Sequence, residues 1–253
     1  MKRKILRVLL NLFLVVVVYC GCVLVDLPQE RAYLGLFQPV IVVSLTFDDG
    51  YESQYASALP LLDSFKMKGT FYIITSNMFS KRAGFMDSAQ VLDLYHRGHE
   101  IGSHTVTHPY IISLGWNWWQ VKRSKEDLEK LGIPIRSFAY PYGRESYLYR
   151  KFVQAAGYTT ARMVGDDYND LDADQYRLRS KYVLRTTTLP EVEQWVQEVK
   201  EHNFWLILCF HRIDTTTNTW GCSPDMLRSI CSLLQKNGIV VLTVSDAWKE
   251  GYQ

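Results

Sequence analysis

The chain is short of cysteine, of net charge and of glycine-rich loops, and each shortage removes a class of function. There are five cysteines in 253 residues. Cys20 and Cys22 fall in an apolar run near the N-terminus, and Cys209, Cys222 and Cys231 lack the close spacing of a zinc ribbon. A cysteine metal site is therefore not expected. Cys222 and Cys231 could pair as a disulfide in an oxidising compartment or stay as two thiols. The formal net charge is only +2, with no basic stripe, so no nucleic-acid partner is expected. Internal repeats and low-complexity tracts are also missing. With 47% hydrophobic and 21% charged residues, the chain can bury a sizeable core and does not read as disordered. Aromatics are plentiful, with seven Trp and sixteen Tyr. They suit a sugar-binding cleft and a buried core equally.

The N-terminus has its own character. Lys2, Arg3, Lys4 and Arg7 precede an apolar run from Val8 to Val25 that only Asn11 interrupts. A run in the range of ~17–25 residues can cross a hydrocarbon core. Its basic flank predicts that this end stays in the cytoplasm and that everything after Val25 lies outside. Residues 1–25 thus read as a signal anchor or signal peptide, a contact with the membrane in either case. The lack of a small-x-small cleavage site favours a retained anchor over a secreted form. Lipid attachment at Cys22 is a weaker option. Residues 26–39, with Pro28 and Pro39, read as a linker, and residues 40–253 as one large domain.

In that domain strand-like and helix-like segments alternate. Apolar, β-branched runs predict strands over 40–47, 70–75, 100–103, 137–140, 158–162, 205–210 and 239–244. Helices are expected over 53–66, 88–96 with Ser88 as N-cap, 117–131, 145–156, 190–200 and 223–236. Residues 163–181 are polar and take no assignment. About seven alternations argue for a mostly parallel sheet with helices outside. No glycine-rich nucleotide loop follows the first strand, so a (β/α) barrel, complete or one unit short, fits better than an open doubly wound sheet. In such barrels chemistry gathers at the C-terminal ends of the strands.

Four polar motifs sit at those ends. Asp48-Asp49-Gly50 follows the first strand. Two adjacent carboxylates can divide cation binding from proton abstraction, although an Asp-Gly pair can also merely end a strand. His104-Thr-Val-Thr-His108 follows the third, and its two imidazoles can meet one metal ion if the segment makes a helical turn. Phe138-Ala-Tyr-Pro-Tyr-Gly143 makes a tight turn able to aim a backbone N–H at an oxyanion. His211 follows the apolar run 205–210 and is suited to act as a general acid. Any one of these has an ordinary structural reading. Together, Asp49, His104 and His108 supply two nitrogens and one oxygen, with Asp48 left as a base and His211 as an acid. That is a set for metal-assisted hydrolysis of an amide or ester.

Thr46-Phe-Asp-Asp-Gly50, Gly98-His-Glu-Ile-Gly-Ser-His-Thr-Val-Thr-His108, Tyr140-Pro-Tyr-Gly143 and Leu208-Cys-Phe-His211 resemble, in order and spacing, the motifs of the polysaccharide deacetylase family (carbohydrate esterase family 4, the nodulation-deacetylase homology domain). The likeness covers about residues 40–248 and is nearest the poly-N-acetylglucosamine deacetylase-like branch. It implies a distorted, seven-stranded (β/α) barrel over residues 40–253 and removal of acetyl groups from glycans. It also implies Asp48 as base, Asp49, His104 and His108 as ligands of a divalent metal (Zn2+, with Ni2+ or Co2+ as alternatives), the Tyr142 N–H in the oxyanion hole and His211 as acid. Two departures stand out. Ala139 occupies the place of an arginine that orients the base in many members, and no Asp-and-Trp motif precedes the last motif. Arg185 is the candidate for the missing charge.

The expected partner is an acetylated polysaccharide such as poly-N-acetylglucosamine, peptidoglycan or a chitin-like chain. The rival readings are a glycan-binding protein on an impaired scaffold and a barrel glycosidase pairing Asp48 with Glu100. The glycosidase leaves both histidines without a task.

Overall fold

The computed structural model describes residues 41–110 and 114–251. The chain divides into units 1–39 and 40–253, and the expected anchor and linker lie outside the described residues. No helix among the described residues is long and apolar enough to cross a membrane.

The large unit is a parallel sheet curled into an incomplete barrel. Its strands are β1 (Val42–Phe47), β2 (Gly69–Ile73), β3 (Glu100–Ser103), β4 (Ser137–Ala139), β5 (Thr160–Arg162), β6 (Lys181–Tyr182) and β7 (Trp205–Phe210). They lie in the order β5-β4-β3-β2-β1-β7-β6. Between β5 and β6 the seam carries one isolated bridge, Arg162 to Leu178. A short pair, β8 (Arg212–Ile213) and β9 (Gly221–Cys222), follows β7 outside the main sheet. A tenth strand, β10 (Val240–Val241), pairs with the first half of β1, while β2 pairs with its second half. The outer helices are α1 (Leu59–Ser64, entered through a π-helical turn at Gln54–Ala58), α2 (Thr75–Phe79), α3 (Ser88–His96), α4 (Leu114–Glu129), α5 (Tyr147–Ala155), α6 (Leu189–His202), α7 (Pro224–Lys236) and α8 (Val244–Gly251).

The two-residue period of the strands sorts the side chains. Val43, Leu45, Phe47, Phe71, Ile73, Ile101, Phe138, Leu206, Leu208 and Phe210 join the helices in the main core. The rings of Phe71, Phe47 and Phe210 stack there at 4.7 and 5.2 Å. The alternate set, which faces the barrel interior, changes character along the axis. At the N-terminal end Val42, Trp205 and Ile207 form a second apolar cluster with Leu178, Val244 and Ala247, so α8 plugs that mouth. Above it the interior is polar: Thr46, Thr70, Tyr72, Ser137, Thr160 and Arg162 are all buried. The same parity turns Asp48, His104, Arg162 and His211 inward at the C-terminal end.

Several elements differ from expectation. The run 239–244 is cut to Val240–Val241, because Thr243 and Asp246 make reciprocal contacts (Thr243 Oγ1 to Asp246 Oδ2, 2.8 Å; Asp246 N–H to Thr243 Oγ1, 3.2 Å) that start α8 instead. The seventh strand of the main path is β6, from the border of the unassigned stretch. Asp87, not Ser88, caps α3, paired with Gln90 in a capping box. Thr75 opens α2 rather than ending β2. Among the described residues Cys209, Cys222 and Cys231 are buried free thiols, so the Cys222–Cys231 disulfide is not formed.

Candidate active site

Asp48 and Asp49 both reach the His104 imidazole, at 3.9 and 3.6 Å, because the backbone turns sharply after β1 and breaks the alternation of a strand. Asp49 and Gly50 both have φ of 73°. Thr105 (68°), His108 (54°) and Tyr142 (58°) are also left-handed. Such conformations are unfavourable for residues with a Cβ, and their gathering at one mouth marks a site held in shape by its surroundings.

The segment from His104 to His108 is not the helical turn that the spacing suggested. It is an irregular loop. Its Val106 and Thr107 N–H groups donate to the buried Gln120 of α4 (3.0 and 2.9 Å), and the His108 N–H donates to Thr105 Oγ1 (2.9 Å). The loop still brings the imidazoles together, ring centres 4.6 Å apart. Asp49 Oδ1 lies 3.6 Å from His104 Nε2 and 3.8 Å from His108 Nε2. Donor atoms of all three residues fall within 4.8 Å of one another. His104 Nδ1 is 2.8 Å from the Ala139 carbonyl, so it carries the proton and leaves Nε2 as a lone pair facing Asp49. Burial pushes the pKa of His104 down to about 3 and lowers that of His108. Burial, reinforced by the neighbouring Asp48 charge, lifts that of Asp49 to about 6. Two neutral imidazoles and a desolvated carboxylate form a donor set that fits a divalent cation.

Asp48 lies beside this set, with Oδ2 3.9 Å from His104 Nε2. Arg162, fully buried, donates through Nη2 to both of its carboxylate oxygens, each at 2.5 Å. Burial alone would raise the Asp48 pKa, but the Arg162 guanidinium and the nearby imidazoles outweigh it and hold the carboxyl well below its usual range. The Cys209 thiol adds a third contact to Oδ2 at 3.4 Å. Gln54, in the π-helical turn, donates to the main-chain carbonyls of Asp48 (2.5 Å) and His211 (2.8 Å), tying the two strand ends together. Neither Arg162 nor Gln54 was singled out from the sequence. Arg162 closes a predicted strand, as the other site residues do, and that signal could have found it.

His211 lies across from the histidine pair, and donor atoms of Asp48, Cys209 and His211 fall within 4.8 Å of one another. Its ring contacts Tyr182 (5.7 Å) and Trp220 (5.2 Å), and its buried Nδ1 has no hydrogen-bond partner. In the turn Pro141–Gly143, Gly143 N–H donates to Tyr140 O and Arg144 N–H to Pro141 O. No described hydrogen bond uses the Tyr142 N–H, and the Tyr142 ring stands 4.5 Å from His108.

Two expected residues lie elsewhere. Arg185 donates to the Asp214 carbonyl (2.9 Å) and carboxylate (3.1 Å) and braces the loop that carries Trp220, so it is not the counter-charge of the base. Glu100 begins β3, at the opposite end of the barrel from Asp48, and accepts from Thr70, at 2.9 Å, and from Ser245. Carboxylates so placed cannot flank one glycosidic bond.

Residues 38–161 match the family model described as polysaccharide deacetylase. The chain is 35% identical over 121 residues to YxkH of Bacillus subtilis, covering 46% of this chain and 42% of that protein. It is 28% identical over 128 residues to the peptidoglycan-N-acetylglucosamine deacetylase of Bacillus cereus, covering 49% and 53%. It thus spans about half the length of these curated relatives. The structure of the Streptococcus pyogenes deacetylase PplD, bound to acetate, superposes with a TM-score of 0.59 at 25% identity, covering 67% of this chain and 77% of that one. Just under half of the chain, residues 38–161, is thus similar to the polysaccharide deacetylase family.

Proposed function

We propose that this protein is a divalent-metal-dependent hydrolase that removes acetyl groups from an N-acetylated polysaccharide: poly-N-acetylglucosamine, peptidoglycan or a chitin-like chain. One arrangement supports the reading above all: a three-residue donor set, Asp49-His104-His108, flanked by an arginine-clamped carboxylate and by a second histidine. Asp49, His104 and His108 would hold the ion, Zn2+ by donor type. Bound there, it would polarise the acetyl carbonyl and favour ionisation of a water.

The chain's own groups then divide the work. Asp48 accepts the proton of the attacking water. Clamped by Arg162, it is ionised at any ordinary pH and aimed at one place. The Tyr142 N–H, used by no described hydrogen bond, donates to the oxyanion as the carbonyl carbon becomes tetrahedral. His211 gives a proton to the departing amine, and the products are acetate and a free amino sugar. The rings of Tyr182 and Trp220 pack against that histidine and hold it in place. Export or anchoring through residues 1–25 would place the domain outside the cytoplasm, where such glycans occur.

The test is acetate release by the purified full-length protein from poly-N-acetylglucosamine, chitooligosaccharides and peptidoglycan, with and without added Zn2+, Ni2+ or Co2+. Metal-dependent acetate that disappears in Asp48→Asn supports the proposal. A folded, metal-binding protein that releases no acetate from any of them would favour a glycan-binding role.

A further inference from the structure

Beyond the donor set the site continues as a strip of exposed rings. From His108 the Tyr142 ring follows at 4.5 Å and the Tyr110 ring at 5.6 Å from that. The Arg144 guanidinium lies over the Tyr110 ring, 4.8 Å from its centre. Tyr110 is 51% and Tyr142 54% exposed. Single exposed aromatics are ordinary. A row that starts on a candidate metal ligand and runs outward is not scattered surface.

The row is also fixed in place. Tyr142 is held at a positive φ, and Gly143 leaves no freedom behind it, since a Cβ there would meet Val164 at 2.5 Å. Neighbouring rings are tilted by 58° and 51°, so they do not stack on one another; Arg144 covers one face of Tyr110, and both tyrosines stay about half exposed. Half-exposed phenol rings beside an exposed guanidinium edge suit a pyranose. The C–H face of the sugar covers the rings, while its hydroxyls and acetamide carbonyl accept from arginine.

Resting on the deacetylase reading, we propose that Tyr110, the Tyr142 ring and Arg144 form a subsite for the sugar next to the reacting one. This makes the enzyme selective for glycan chains over short fragments. The strip rises from the loops after β3 and β4, whereas Tyr182 and Trp220 stand at β6 and after β7, on the other side of β1 in the sheet order, so the chain would run from one aromatic group toward the other.

The experiment measures binding of N-acetylglucosamine disaccharides and hexasaccharides, β-1,4- and β-1,6-linked, to the full-length Asp48→Asn protein, which needs no turnover. The preferred hexasaccharide is expected to bind more tightly than its disaccharide. Tyr110→Ala should lower that preference by about tenfold, the loss of roughly half a ring face of apolar contact. Arg144→Gln should lower it by about fivefold, one hydrogen bond's worth. Tyr110→Phe should retain it. In the active protein the ratio of kcat/KM for long over short substrate should fall in the same order. Equal loss for both lengths, no loss, or no preference for either hexasaccharide would overturn the subsite. Absence of acetate release by the wild type would instead sink the deacetylase reading, and the binding data would still decide the subsite.

Discussion

Arg162 and Asp48 meet inside the barrel, 114 residues apart in sequence, with one guanidinium nitrogen donating to both carboxylate oxygens. The guanidinium is sealed from water and the carboxylate keeps only a small opening, with side-chain exposures of 0% and 6%. The pair supplies from β5 the charge that the position of Ala139 lacks, and it determines when Asp48 can act as a base.

Arg162→Met should therefore change the pH dependence before anything else. Without the guanidinium, burial is left to push the Asp48 carboxyl upward. The acid limb of kcat/KM should move to higher pH, so activity at pH 5 falls more than activity at pH 8. An unpaired buried carboxylate should also cost about 3–5 kcal/mol of stability. Urea unfolding and a pH–rate profile read both effects. An unshifted acid limb would show that Arg162 does not govern the base.

Metal content should separate ligands from base. His104→Ala and Asp49→Ala each remove one of three donors and should lose bound metal and acetate release together. Asp48→Asn should keep its metal, near one ion per chain, while turnover falls at least a hundredfold. The His104 ring is oriented by a backbone carbonyl, so changing the side chain at Ala139 should leave affinity for the ion intact. Elemental analysis after dialysis checks all of these. A metal-replete, inactive His104→Ala would count against the assigned donor set.

The strand-end rule made much of this site legible from sequence, because a parallel barrel collects whatever follows its strands. Asp48, Asp49, His104, His108 and His211 were all found that way. Arg162 obeys the same rule, yet a charge at the end of a short strand reads as surface until its partner is known. Gln54 was hidden because its work is a pair of carbonyl contacts made from a π-helical turn, which no side-chain pattern encodes. The His104–His108 spacing suggested a helical turn, whereas side-chain contacts from Gln120 and Thr105 shape the loop. At the other mouth, the apolar run over 239–244 predicts a strand, but the Thr243–Asp246 cap turns its end into α8.

Gly143→Ala tests the turn that presents Tyr142. Its φ is +65°, and the added Cβ would fall 2.5 Å from Val164 Cβ and Cγ2. Overpacking of this kind costs about 1–3 kcal/mol, and the left-handed backbone adds to it. The turn must shift, taking the Tyr142 N–H with it. Activity should fall far more than metal binding, which depends on other loops. Retained metal with normal kcat would argue that the Tyr142 N–H has no part in the reaction.

His99 gives a stability prediction outside the site. It is buried, its Nδ1 accepts from the Gly69 N–H at 3.1 Å, and its Nε2 lacks a hydrogen-bond partner, 3.7 Å from Asp63. Burial, helped by Lys68, pushes its pKa down from 6.5 to about 4. The unfolded chain therefore takes up this proton first as the pH falls. The associated stability is complete above pH 6.5 and is lost between 6.5 and about 4, amounting to roughly 3 kcal/mol at the low end. His99→Asn keeps an acceptor for the Gly69 N–H but cannot titrate. Urea unfolding at pH 7 and pH 4.5, with chelator present in both, should show a smaller acid loss in the variant than in the wild type. His104 and His108 bias the wild type and the variant alike, so only the difference between the two proteins reports His99. If both lose the same stability, the buried imidazole is not a source of the acid sensitivity.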